Sequence, residues 1–120
     1  MTSAVLTAFV IGVVSEVSAY QQHLWVYRRP VYAVLNVVVM FAPVMGFIAT
    51  LAASVGVLAA FAIGFAVGLL YEIVNFAYLD WWYFPGDRLY MLRGKRACAL
   101  AVAVAWGVVP VIAAAVRGLV

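Results

Sequence analysis

Four apolar stretches separated by short polar breaks constrain this chain more than any other feature. Each exceeds the ~20 residues that carry a helix across the hydrocarbon of a bilayer. The first runs from about Ser3 to Tyr27 and is stopped by Arg28, Arg29 and Pro30, because the residue before a proline disfavours helix. The second starts at Pro30, where a missing N–H costs nothing in a first turn, and ends near Ala53. The third runs from about Val57 to Tyr83 and is closed by Pro85 and Gly86. The fourth begins between Tyr90 and Ala97 and reaches almost to the C-terminus. Of 120 residues, 70% are hydrophobic and 9% are charged, too few charges to cover a soluble domain of this length. The expected fold is an all-α integral membrane protein of four transmembrane helices, forming one domain over residues 1–120.

The basic residues set an orientation. Arg28 and Arg29 lie in the first connection; Arg88, Arg93, Lys95 and Arg96 lie in the third; the second, residues 53–56, has none. The positive-inside rule puts connections one and three in the cytoplasm and both termini outside. The expected location is a bacterial inner membrane. The first stretch lacks a basic leading region and carries Glu16 in its apolar part, so it reads as a retained helix, not a signal peptide. Cys98 is the sole cysteine, which leaves no internal disulfide.

An internal repeat gives the carboxylates a common setting. At an offset of 56 residues, Phe9, Gly12, Glu16, Trp25 and Tyr27 fall on Phe65, Gly68, Glu72, Trp81 and Tyr83. The second and fourth stretches share less: Pro43 follows Pro30 by thirteen residues, and Pro110 follows Ala97 by thirteen. Two repeated hairpins, residues 3–53 and 57–118, then form a pseudo-two-fold bundle about an axis along the membrane normal. Coincidence in a low-diversity sequence is the plain alternative. Each glutamate precedes its tryptophan by nine residues, or ~13 Å of helix, which sets both at equal depth in the cytoplasmic half. Gly12 and Gly68 lie one turn away on the same faces, and Gly64 with Gly68 forms a G-x-x-x-G pair. Small residues let helices approach closely, so helices one and three are expected to cross there.

Helical spacing assembles a candidate chamber. Gly12, Glu16, Tyr20, His23 and Tyr27 form one stripe. Glu72 and Asn75 stand on the third helix, and Asn36 lies roughly 9 Å in from Pro30. The expected chamber is Glu16, Tyr20, His23, Asn36, Glu72 and Asn75, with a mouth at Asp80, Trp81, Tyr83 and Arg88. The fourth helix offers only Trp106 and reads as a lipid-facing or partner-facing wall. A charge at mid-bilayer costs about 2.5–3.5 kcal/mol, so two carboxyls point to function. Neutral glutamates bonded to Asn or Tyr, holding helices together, are the structural alternative. His23, near the interface, reads as hydrogen-bonded or solvated, and Trp25, Trp81, Trp82, Tyr27 and Tyr83 as an aromatic belt. The 88–96 cluster reads as an orientation signal first and an anionic-lipid contact second. Pro43 and Pro110 are expected to kink their helices.

Several chemistries lack their residues. There is no Cys/His cluster for a metal, no H-E-x-x-H, no Gly-rich phosphate loop and no G-x-S-x-G. Nothing supports nucleic-acid binding, and no cofactor is indicated. In size, four spans and a glutamate within helix one, the chain resembles the small multidrug resistance transporters. That likeness is one of architecture; it implies a role for Glu16, while Glu72 has no equivalent there. Three function classes stay open. One is a proton-linked carrier or binder of a cationic or amphipathic small molecule, with Glu16 and Glu72 exchanging protons. Another is an accessory subunit of a larger membrane complex. The third is an acid/base enzyme acting on a lipid or isoprenoid. Expected partners are the lipid bilayer and further copies of the chain or other membrane subunits, because four helices barely enclose a path.

Overall fold

Helices form where the apolar runs lie. A computed structural model describes residues 2–118; the chain ends Met1 and Val120, whose side of the membrane the charges address, lie outside the described residues. The helices are α1 (Thr2–Gln22), α2 (Pro30–Val55), α3 (Val57–Leu79) and α4 (Lys95–Val116), each long and apolar enough to cross a membrane. Gly56 alone separates α2 from α3, at φ 89°, a left-handed conformation that glycine enters without a Cβ penalty.

The two polar connections meet at one end of the bundle. Strand β1 (Val26–Tyr27) follows α1, and β2 (Trp82–Tyr83) follows α3. They pair antiparallel, Val26 opposite Tyr83 and Tyr27 opposite Trp82. Arg28 N–H extends the pairing to the Trp81 carbonyl at 2.7 Å. A tight hairpin of β3 (Arg88–Leu89) and β4 (Leu92–Arg93) then leads into α4.

Packing departs from the expected crossing of helices one and three. In α2 and α4, 44% of the most apolar window is buried, against 22% in α1 and 28% in α3, so α2 and α4 form the centre. Helix α1 packs on α2, and α3 packs on α4. The glycines explain the pairing. A Cβ on Gly12 would meet the Phe41 ring at 2.8 Å, and one on Gly68 would meet Trp106 Cβ at 2.5 Å. Each glycine thus serves its own hairpin, not a contact between α1 and α3. Helix α4 is correspondingly not a lipid-facing wall: Trp106 is buried and packs edge-on against Phe41 and Tyr71, at 5.1 and 5.4 Å between ring centroids. Such aromatic pairs contribute about 0.5–1.5 kcal/mol each beyond their buried area.

Two helices also end earlier than the apolar runs. Helix α1 stops at Gln22, with His23 at φ 55°, and α3 stops at Leu79, with Asp80 at φ 48°. The residues that were to extend these helices instead fold back over the bundle end. Two of the helices contain a π-helical segment that begins at an asparagine, Asn36–Phe41 within α2 and Asn75–Leu79 at the end of α3. A π turn takes in one residue more than an α turn. The one in α2 directly precedes Pro43, whose ring cannot sit against the carbonyl four residues back.

Candidate functional site

The early end of α1 is what builds the site. Because the chain reverses at His23, Trp25 and Tyr27 return toward the helix they left. Trp25 Nε1 donates to Glu16 Oε2 at 3.0 Å, and the Tyr27 hydroxyl donates to Glu16 Oε1 at 2.5 Å. Asn36 Nδ2, from the π turn of α2, donates to Tyr27 Oη at 2.9 Å and to Glu16 Oε1 at 3.3 Å. Burial, and behind it the Glu16 charge, holds the Tyr27 phenol well above its ordinary range, so it is a donor at any physiological pH.

Glu72 has a sparser setting. It is 2% exposed and accepts one hydrogen bond among the described residues, from Trp82 Nε1 at 3.1 Å. The indole is held there by Asn75. Asn75 Oδ1 accepts the backbone N–H of Trp81 at 2.8 Å and of Trp82 at 3.3 Å, while Nδ2 donates to the Trp82 carbonyl at 2.9 Å. The π turn closes with Asp80 N–H on the Asn75 carbonyl at 2.8 Å. Asn75 is fully buried and lies off the cavity wall; it positions Trp82.

Both carboxyls line one cavity of about 490 Å³, within the range that holds a drug-sized ligand. All four helices contribute to it, and residues 89–92 of the hairpin close its end. Seven aromatic side chains stand in its wall: Trp25, Tyr27, Phe41, Trp82, Phe84, Tyr90 and Trp106. Its polar groups are few. Ser15 Oγ is occupied by the Ile11 carbonyl at 2.8 Å, and both wall indole N–H groups near the carboxyls are spent on them. Among the described residues, one buried polar atom of the wall has no partner, Asn36 Oδ1, an acceptor. The fixed Nδ2 bonds of Asn36 set which end of the amide carries it.

Of the residues expected in a chamber, the structure brings Glu16, Asn36 and Glu72 to this cavity. Tyr20, 81% exposed, and His23 stand with Glu16 around a separate depression of about 350 Å³ on the outer side of the β1 connection. None of Asp80, Trp81, Tyr83 and Arg88 lines the larger cavity. Asp80 instead forms an exposed ion pair with Arg28 at 3.3 Å, and the Arg28 guanidinium lies 4.2 Å from the Tyr83 ring centre. Trp81 stacks on Tyr32, 5.0 Å between centroids and 4° from parallel. These contacts clamp connection one to connection three.

Sequence reasoning assigned Trp25, Tyr27 and Trp82 to an aromatic belt and missed them as carboxyl partners. Their spacing from the glutamates is the available signal, and along a straight helix it sets them at the interface, far from the carboxyls. Among the described residues there is no cluster of His, Cys, Asp or Glu that could hold a metal ion. Compared with protein-family models, with curated proteins and with solved structures, the chain matches none.

Proposed function

We propose that this chain is a membrane-embedded, proton-linked binder of a small amphipathic cation, and a carrier of it when assembled with further copies. One observation carries the reading: the cavity that both glutamates line offers a ligand carboxyl and amide acceptors and aromatic faces, and the indole N–H groups of Trp25 and Trp82 are already spent on the carboxyls. Carboxyl oxygens, the unpaired Asn36 Oδ1 and seven aromatic rings together suit a positive, N–H-bearing or quaternary ammonium group on an apolar body. A carboxylic acid that takes up such a cation releases its proton, which couples occupancy to pH.

Support for the membrane setting comes from helix length and from the end-to-end distribution of charge. The β1–β2 pairing gathers the connections carrying Arg28, Arg29, Arg88 and Arg93 at one end of the bundle. The positive-inside rule makes that end cytoplasmic and the α2–α3 connection extracytoplasmic. The shared Glu–Trp pairs, Glu16 with Trp25 and Glu72 with Trp82, support a repeat of two hairpins. A second reading, acid/base chemistry on a lipid or isoprenoid, is favoured by the unequal surroundings of the two carboxyls, three donors on Glu16 and one on Glu72. An accessory role in a larger complex leaves the unpaired acceptor and the open cavity without a purpose.

The test is binding of tetrapropylammonium to the purified chain in detergent, followed by quenching of tryptophan fluorescence and by proton release in weak buffer. Binding with proton release, lost in Glu16→Gln/Glu72→Gln, is the expected result. A folded double variant that binds the probe like the parent, with the same pH dependence, would overturn the reading.

A further inference from the structure

The hairpin that closes the cavity carries a charge arrangement of its own. Arg88 and Arg93 are directly opposite each other across β3 and β4. Like charges at facing positions of a strand pair destabilise it, with side chains starting ~4.5–5.5 Å apart. Neither arginine forms an ion pair among the described residues, where the one ion pair is Arg28 with Asp80. Lys95 and Arg96 follow at once at the start of α4, and all four basic side chains are exposed. Between the two arginines the turn presents Tyr90 and Met91, 71% and 95% exposed. A large apolar pair at the tip of a basic hairpin, directly before a helix of membrane length, has the composition of an interfacial anchor.

We infer that the Arg88–Arg93 hairpin is a binding site for the anionic phosphate headgroup of a membrane lipid. The phosphate lies between the two guanidinium groups and turns their repulsion into a shared attraction, with forked N–H donors from both sides. Lys95 and Arg96 add to the field. Residues 89–92 all border the cavity, and the exposed sides of Tyr90 and Met91 enter the layer beneath the headgroups. Bound lipid thus seats the cover of the cavity at the membrane surface. Among the described residues its one hydrogen-bonded side-chain tie to α1 is exposed, from the Tyr90 hydroxyl to Gln22 Oε1 at 3.1 Å. This assignment stands apart from whatever occupies the cavity.

The experiment uses the full chain in nanodiscs of phosphatidylcholine with a minor share of phosphatidylglycerol. The relative association of spin-labelled phosphatidylglycerol and phosphatidylcholine is read from their motionally restricted fractions. A basic side chain at an anionic leaflet contributes roughly fivefold in association, so Arg88→Gln/Arg93→Gln should lower the preference for phosphatidylglycerol by roughly 25-fold. Arg28→Gln/Arg29→Gln should lower it by no more than about fivefold, because Arg28 is already paired with Asp80 and the two do not face each other across a strand pair. Inorganic phosphate should not displace the labelled lipid. No preference in the parent chain, equal losses in the two double variants, or displacement by inorganic phosphate would each overturn the site.

Discussion

Trp82, not Trp81, should be energetically coupled to Glu72. The 56-residue frame equates Trp81 with Trp25, yet the indole that reaches the carboxyl belongs to Trp82. Trp82→Phe removes the single donor from a carboxyl that is 2% exposed, and an unsatisfied buried polar group costs about 1–3 kcal/mol. Glu72→Leu alone orphans the indole N–H at a similar cost. With both changed, neither orphan remains, so the double variant avoids both penalties and should lose about 2–6 kcal/mol less than the two single losses combined. Packing lost with the indole, against Tyr71 at 4.9 Å and Tyr27 at 5.9 Å, is common to both backgrounds and cancels in the cycle. Trp81→Phe keeps a ring to stack on Tyr32 and touches no carboxyl, so its cycle with Glu72→Leu should close to within about 0.5 kcal/mol. Reversible denaturation in mixed detergent micelles, followed by circular dichroism, measures the parent and all five variants. Additivity at position 82, or coupling at position 81, refutes the assignment.

Further outcomes follow from single contacts. Asn75→Ala frees two backbone N–H groups and a carbonyl near Trp82 and should cost about 2–4 kcal/mol in the same assay, with a red-shifted tryptophan emission. Gly46→Ala sets a Cβ 2.6 Å from Val5 Cα; the overpacking, about 1–3 kcal/mol, should outweigh the ~1 kcal/mol gain in helix propensity and lower the midpoint. Arg28→Gln breaks an ion pair whose side chains are 49% and 71% exposed, so the loss should be at most about 1 kcal/mol and should shrink in high salt. A reporter fused after Val120 should behave as extracytoplasmic; cytoplasmic activity would invert the orientation and place the Arg88–Arg93 hairpin on the other surface.

What the sequence made legible is what depends on local chemistry. Helix length and the breaks at Pro30, Gly56 and Pro85 need only apolar runs and backbone rules, and they locate the four helices. Glu16, Asn36 and Glu72 stood out because charge and amide are rare in such runs. The ends of α1 and α3 were not legible. No proline or glycine stands between Ser15 and Arg29, and nothing local forbids helix at His23. The break is tertiary: Trp25 and Tyr27 bond back to Glu16, and Val26 and Tyr27 pair with a strand more than fifty residues on. The helical stripe that predicts Tyr20 and His23 in the chamber fails for two reasons: His23 sits at the break, and Tyr20, still within α1, is exposed. The fourth helix, with Trp106 alone, reads as an outer wall in the sequence because the partners that bury Trp106, Gly68 and Phe41, lie on other helices.

The slip between the sequence frame and the geometry has a mechanical cause. In the first hairpin Glu16 meets a tryptophan nine residues on, and in the second Glu72 meets one ten residues on. The π turn from Asn75 to Leu79 lies within the second interval, and a π turn holds one residue more than an α turn over the same rise. The inserted residue moves Trp82 into the place that Trp25 takes against Glu16, and leaves Trp81 outside to stack on Tyr32. Asn75 both opens that turn and fastens its far end, through three bonds to Trp81 and Trp82. Two carboxyls on helices that scarcely touch therefore come to line one cavity, because a reversal after α1 and a π turn in α3 each deliver an indole to its glutamate. The unequal devices also explain the unequal donor sets: the reversal brings Tyr27 and, through it, Asn36 to Glu16, whereas the π turn leaves Glu72 with the indole of Trp82 alone.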